Sequence, residues 1–301
     1  MARPFTSPSN RSERSYPLTP LAKRRALGYP YECSYRPFVV TGGGFLSPHI
    51  SPWPADQRWV EPLAGRYASL AIGSNRSARQ LARKYQGWPD PLALPVWPVR
   101  VTGLDVHFAA AIGHYGAIPA TPVRATDTVC ELMLVWLTSA ERERMDESEA
   151  LGHAYDRFKV PVVTKGLPVP VTAVDIYVHR DGTYPLTGRQ SVGMAALPVL
   201  GARNANIGRL TQVMMQQRLC GRLAPGTGLE QFIASNIHDP PMRRARAAQL
   251  RQRAVPAWSP IITDGAVRHD GAGAGIISGG SGGSGGTVMG ENQPIQVVSM
   301  V

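Results

Sequence analysis

The chain has 301 residues, 43% of them hydrophobic, and a formal net charge of +11. That is enough for one large domain or two small ones around a sizeable buried core. No apolar run reaches the length of a membrane-crossing helix, since the longest, near 129–137, carries Glu131. Cys33, Cys130 and Cys220 are odd in number and far apart, which excludes a disulfide framework or a metal spacing and makes a reducing cytoplasm the expected compartment.

Residues 1–60 are rich in Pro, Ser, Gly and Arg, with Tyr29, Tyr31, Tyr35, Trp53 and Trp59 scattered among them. They read as a disordered or irregular basic arm that packs an aromatic or two on the core. The first residues are basic but lack an apolar stretch, so no secretory signal is expected. Gly42–Gly44 marks a hinge or turn rather than a phosphate loop, because neither a Lys-Ser/Thr pair nor a helix follows. Arg66–Ile72 is mostly apolar and predicts a buried strand. It runs into Gly73-Ser74-Asn75 and a helical pattern with Ala78, Leu81, Ala82 and Tyr85 on one face. Two readings of this loop stand. It is a turn for which glycine supplies backbone freedom, or its N–H groups receive an anion or a developing negative charge.

Val96–Ile112 predicts a second strand region bent at Gly103, with His107 and His114 as core-edge or surface histidines. Val129–Leu137 predicts a central strand. Thr138 follows, with Glu141 three residues on, the spacing of a capping box. The short helix it opens ends in Asp146, Glu147 and Glu149, where the negative end of the helix dipole disfavours acids. Gly152 and His153 end that helix, and 154–163 predicts the next strand. A carboxylate is therefore held at a helix-to-strand corner beside Tyr155. It is either a solvated acidic turn or a partly desolvated group whose pKa rises toward that of a general base.

Val171–Val178 predicts a further strand, turned at Asp181-Gly182. After 201 the periodicity becomes helical, with Ile207–Leu219 stopping at Gly221, a short helix around Leu229, Phe232 and Ile233, and a basic helix over 242–254. The run ISGGSGGSGG at 277–286 is expected to be a flexible tail. The organisation is thus an arm over 1–60, a core over 64–238, and a basic helix with a Gly/Ser-rich tail over 239–301. Strands not separated by regular crossover helices predict a mixed α+β fold with a curled sheet or small open barrel. The basic arms permit non-specific nucleic-acid binding, and no membrane partner is expected.

Taken in order, these pieces resemble the gamma-glutamylcyclotransferase-like superfamily over roughly 64–220. The likeness rests on strand, Gly-Ser-Asn and helix at Leu70–Leu81, and on Leu-Thr-x-x-Glu at Leu137–Glu141 after a central strand. It rests further on Met145-Asp-Glu-Ser-Glu149 followed by Tyr155 and a Val-rich strand, and on Gly201-Ala202 ahead of a helix. The resemblance implies that Glu149 is a general base for a γ-glutamyl substrate. It would take a proton from the α-amino group, which then attacks its own γ-carbonyl to release 5-oxoproline and an amine, amino acid or peptide. Gly73, Ser74 and Asn75 would hold substrate oxygen, and Tyr155 would line the pocket. The chemistry requires no metal or cofactor. Two positions depart from the family's usual pattern: Ile72 stands where Tyr is common, and Ala150 where Gly is. A non-catalytic binding or scaffold protein on the same fold is the alternative expectation, and nucleic-acid binding through the arms a third.

Overall fold

The computed structural model describes residues 16–41, 63–89, 92–188, 190–200, 208–256, 267–269, 274–275 and 294–300. Its helices are α1 (Pro20–Leu27), α2 (Ala78–Lys84), α3 (Ser139–Ser148), α4 (Gln212–Leu223), α5 (Leu229–His238) and α6 (Pro240–Arg251). The main strands are β1 (Phe38–Thr41), β2 (Tyr67–Ala71), β3 (Ala93–Phe108), β4 (Ala120–Leu137), β5 (Tyr155–Lys165) and β6 (Ala173–His179). Short strands follow: β7 (Pro185–Thr187), β8 (Gln190–Ser191), β9 (Gly193–Met194), β10 (Val199–Leu200), β11 (Arg209–Leu210), β12 (Val267–His269) and β13 (Ala274–Gly275). The last is β14 (Ile295–Ser299).

Six strands close a mixed barrel in the order β4, β2, β6, β5, β14, β3 and back to β4. Neighbours run antiparallel except β2 beside β6 and β5 beside β14. The alternation of side chains along each strand sorts them into two layers. Leu132, Leu134 and Trp136 of β4 point into the barrel with Val99 and Val101 of β3, Phe158 and Val160 of β5, and Ile176 of β6. Met133, Val135 and Leu137 point the other way, onto Leu81 of α2, Tyr85 at its C-terminal cap and Met145 of α3. This second layer is why 129–137 of β4 reads as a nearly unbroken apolar run: both of its faces are covered. The bend at Gly103 is a register shift in the β3–β4 ladder. Gly103 has φ +101°, and a Cβ there would come within 2.6 Å of the Arg124 guanidinium, so glycine meets both needs.

The expected α+β class and barrel-like sheet are present, but the ring closes where an open barrel was anticipated. The closing strand is β14, in the stretch assigned to the tail. It pairs with β5 on one side and β3 on the other, and its Ile295 and Val297 are fully buried. Five residues of alternating character carry little signal alone; they become a strand because β3 and β5 leave facing edges. The Gly/Ser run at 277–286 lies outside the described residues, as do Gly42–Gly44 and Gly201-Ala202.

The expected N-terminal arm is partly regular. Thr19 caps α1 by accepting from the Ala22 N–H at 3.2 Å, and β1 adds to the edge of β3. The C-terminal basic helix is docked, not solvated. Asp239 caps α6, and Arg246 is buried beneath it, donating to Asn236 Oδ1 and Ser235 Oγ at 2.8 Å each while stacking on Phe232. α4 runs through Gly221 and stops at Ala224, because buried Leu219 and Cys220 continue its packed face past the glycine. No helix among the described residues is long and apolar enough to cross a membrane.

Candidate active site

The corner after α3 is built from its caps. The Thr138 hydroxyl accepts from the Glu141 N–H at 3.3 Å, and Glu141 Oε2 accepts from the Thr138 N–H at 2.7 Å. Glu141 also holds Arg66 at 2.8 Å. At the other end the Leu151 N–H reaches Asp146 O, and the Ala150 N–H reaches Glu147 O, both at 3.0 Å. Those two bonds form a Schellman motif, with Glu149 as the C-cap and Ala150 in the left-handed position at φ +52°. The backbone thus turns as a glycine would allow, with alanine bearing the steric cost.

The three acids at this end do different things. Asp146 Oδ1 accepts from Arg157 Nε at 2.9 Å and from the Tyr177 hydroxyl at 2.6 Å, tying α3 to β5 and β6. Glu147 pairs with Arg144 at the surface. Glu149 faces inward: its Oε1 accepts from Asn75 Nδ2 at 2.9 Å and from the Lys84 ammonium. Both partners of that ion pair are largely sequestered, with side chains 13% and 14% exposed. The corner is therefore not a solvated acidic turn.

The loop after β2 comes to the same place. Ser74–Arg76 forms a single 3₁₀ turn before α2, so its first N–H groups lack partners within the turn. At Gly73 an added Cβ would collide with the Tyr29 hydroxyl, which explains the glycine by close approach. Ser74, Glu149 and Tyr155 line one cavity of about 710 Å³, and Asn75 contacts it through Glu149. Of the five residues singled out for the site, Ser74, Glu149 and Tyr155 line this cavity, whereas Gly73 lies behind Tyr29 and does not line it.

Sequence reading missed other walls. The Tyr29 hydroxyl accepts from the Ala120 N–H at 2.9 Å, and the Tyr155 hydroxyl donates to Ala120 O at 3.1 Å, so both phenols hang from one residue at the start of β4. Burial pushes both phenols above the ordinary tyrosine range, which keeps them neutral hydrogen-bonding groups. His179 packs edge-on against Tyr155 at 4.7 Å and accepts from the Asp181 N–H through Nδ1. Burial holds that imidazole below its usual range, against the opposing pull of Asp181 and Glu149. Lys84, at the end of α2, reads in sequence as an ordinary favourable charge for the helix dipole. Tyr29 lay in the supposed arm.

Of the two histidines expected at the core edge or surface, His114 is exposed at the cavity mouth. His107 is buried, contacting Ser191 Oγ at 2.6 Å and Asp105 at 3.2 Å. Burial raises the Asp105 carboxyl, but hydrogen bonds from His107 and Arg209 outweigh it and hold its pKa at about 2. Among the described residues no group of three or more His, Cys, Asp or Glu side chains could hold a metal ion. Compared with protein-family models, curated proteins and solved structures, the chain matches none.

Proposed function

We propose that this chain is a gamma-glutamylcyclotransferase-like enzyme that releases 5-oxoproline from a γ-glutamyl amine, amino acid or peptide. The observation that carries the reading is the 2.9 Å hydrogen bond from Asn75 to Glu149, on the wall of a cavity shared with Ser74 and Tyr155. A carboxylate, a small-residue turn and a half-open cleft of small-molecule size support the cyclisation. Glu149 takes a proton from the substrate α-ammonium, and the freed amine attacks the γ-carbonyl carbon. The new C–N bond closes a five-membered ring, and the negative oxygen faces N–H groups of the turn. As the original amide C–N bond breaks, Glu149 returns that proton to the leaving nitrogen; the freed carboxylate then takes the second proton from the ring nitrogen and passes it to the departing amine, which leaves as its ammonium. Because the attack is intramolecular, the walls contribute mainly by folding the substrate into the attacking conformer.

Tyr29 bears on the departure at Ile72. Its hydroxyl lies against Gly73, so a phenol stands beside the loop although position 72 lacks one. Lys84 favours the second reading, a non-catalytic binding protein, because an ammonium already sits on the proposed base. For turnover, the Lys84 ammonium has to leave Glu149 and pair with the substrate α-carboxylate as Glu149 engages the amine. Incubating the purified chain with γ-glutamyl amino acids, glutathione and γ-glutamyl amines and assaying 5-oxoproline separates the two. Release supports the enzyme; tight binding without release supports the binding protein.

A further inference from the structure

We infer that Ser191 is the nucleophile of a second, independent site, activated by His107 and Asp105 to take the acyl group of a small carboxylic ester and pass it to water. None of these three residues lines the cavity beside Glu149, so the inference does not rest on the cyclotransferase reading. Asp105 and His107 are two residues apart on β3 and therefore share one face of the strand, opposite the core residues Leu104, Val106 and Phe108. The chain around β9 runs beside them: His107 pairs with Gly193, and the Phe108 N–H donates to Val192 O at 3.0 Å. That pairing brings Ser191, at the end of β8, to the imidazole.

The hydrogen bonds run in one direction. Asp105 and His107 are both buried. Asp105 Oδ1 accepts from the Val106 N–H at 2.6 Å. Its Oδ2 accepts from Arg209 at 2.5 Å and contacts His107 Nε2 at 3.2 Å. Burial raises this carboxyl, but the bonds from His107 and Arg209 outweigh it and keep it ionised. A carboxylate can only accept, so Nε2 carries a proton. In the neutral ring Nδ1 is then bare, and the Ser191 hydroxyl, 2.6 Å away, donates to it. That is the order of an acid–histidine–serine triad with the two ring nitrogens exchanged, and Asp105 is its positioning residue. Ser191 is partly exposed, which a hydroxyl that only satisfies a buried ring need not be. A small ester reaches its oxygen from solution while the base and the acid stay shielded, where their electrostatic coupling is strong. Ser191 Oγ attacks the carbonyl carbon as His107 Nδ1 takes the hydroxyl proton. The C–O bond to the alcohol breaks, and Nδ1 gives that proton to the leaving oxygen. Water then attacks the acyl-serine, and Nδ1 takes its proton and returns it to Ser191 Oγ as the carboxylic acid leaves.

The test uses the full chain and an alkyl fluorophosphonate, whose phosphorus bonds to an activated serine oxygen as fluoride leaves. Peptide mass spectrometry locates the adduct. One adduct is expected, on Ser191, forming about 10²- to 10⁴-fold faster than on the same serine in the chain unfolded by urea, the contribution of a positioned base. His107→Gln, confirmed folded by circular dichroism, should lose the same factor; if that variant does not fold, the urea comparison on the wild-type chain decides the point. The ester p-nitrophenyl acetate gives a second readout, with nitrophenolate release expected to fall to background in Ser191→Ala. No adduct on Ser191, one that forms no faster than in urea, or wild-type labelling of folded His107→Gln overturns the inference. So does ester hydrolysis that Ser191→Ala leaves unchanged. Neither probe carries a γ-glutamyl group, so failure here leaves the cyclotransferase reading standing, and absence of 5-oxoproline release leaves Ser191 standing.

Discussion

Ala150 shows how much one backbone angle decides. Its left-handed φ turns the chain away from α3 immediately after Glu149, yet an L-residue with a Cβ bears roughly 1–2 kcal/mol in that conformation. Ala150→Gly is therefore expected to stabilise the fold by about 0.5–1 kcal/mol, after the greater freedom of glycine in the unfolded chain is set against the relief. Urea denaturation measures it, and a loss of stability would show that the corner is not strained. Asn75 acts at the same scale. A hydrogen bond to a charged group contributes about 1.5–3 kcal/mol, so Asn75→Ala should lower kcat about 10- to 100-fold and, because the bond is present in the resting fold, lower the unfolding midpoint as well. An unchanged kcat would mean that Asn75 does not position the acid. At this scale Thr138, Glu141 and Glu149 were legible because caps and corners are written in neighbouring residues. Lys84 and Tyr29 were not, because what matters about them is a contact 65 and 91 residues away along the chain.

The same division governs elements. β2, the bend at Gly103, α3 and β5 could be read from period and punctuation, since each carries its own apolar pattern and its own stop. β14 could not. Its inward residues Ile295 and Val297 fill the slot between β3 and β5, a space defined only once the rest of the barrel exists. Ile295→Ala is expected to cost about 2–5 kcal/mol, as for other fully buried aliphatic side chains. Thermal unfolding tests this, because a flexible tail would tolerate the change within about 0.5 kcal/mol. α6 repeats the lesson with charge. Its arginines read as a solvated basic face, yet Arg246 is spent on anchoring α5 and the others turn to the cavity rim.

Across the whole molecule, a closed barrel carries the cavity at its flank, walled by the loop after β2, the corner after α3 and the added helix α6. One buried titratable group in that wall makes its integrity depend on pH. His179 resists protonation in the folded state, whereas the unfolded imidazole takes a proton near pH 6.5. The unfolded chain then binds more protons, so stability is full above about pH 6.5 and falls progressively below it. Urea titrations at about pH 7.5 and pH 5 should show the loss, and His179→Gln should flatten it. An identical slope in that variant would assign the effect to another group. The measurement closest to the central claim is 5-oxoproline release by Glu149→Gln against wild type, on a γ-glutamyl dipeptide that the wild type turns over. Removing a positioned base predicts a fall of about 10²- to 10⁴-fold, measured on a variant shown to be folded, since the change also leaves the sequestered Lys84 ammonium without its acid. Release at the wild-type rate from the folded variant would contradict the account.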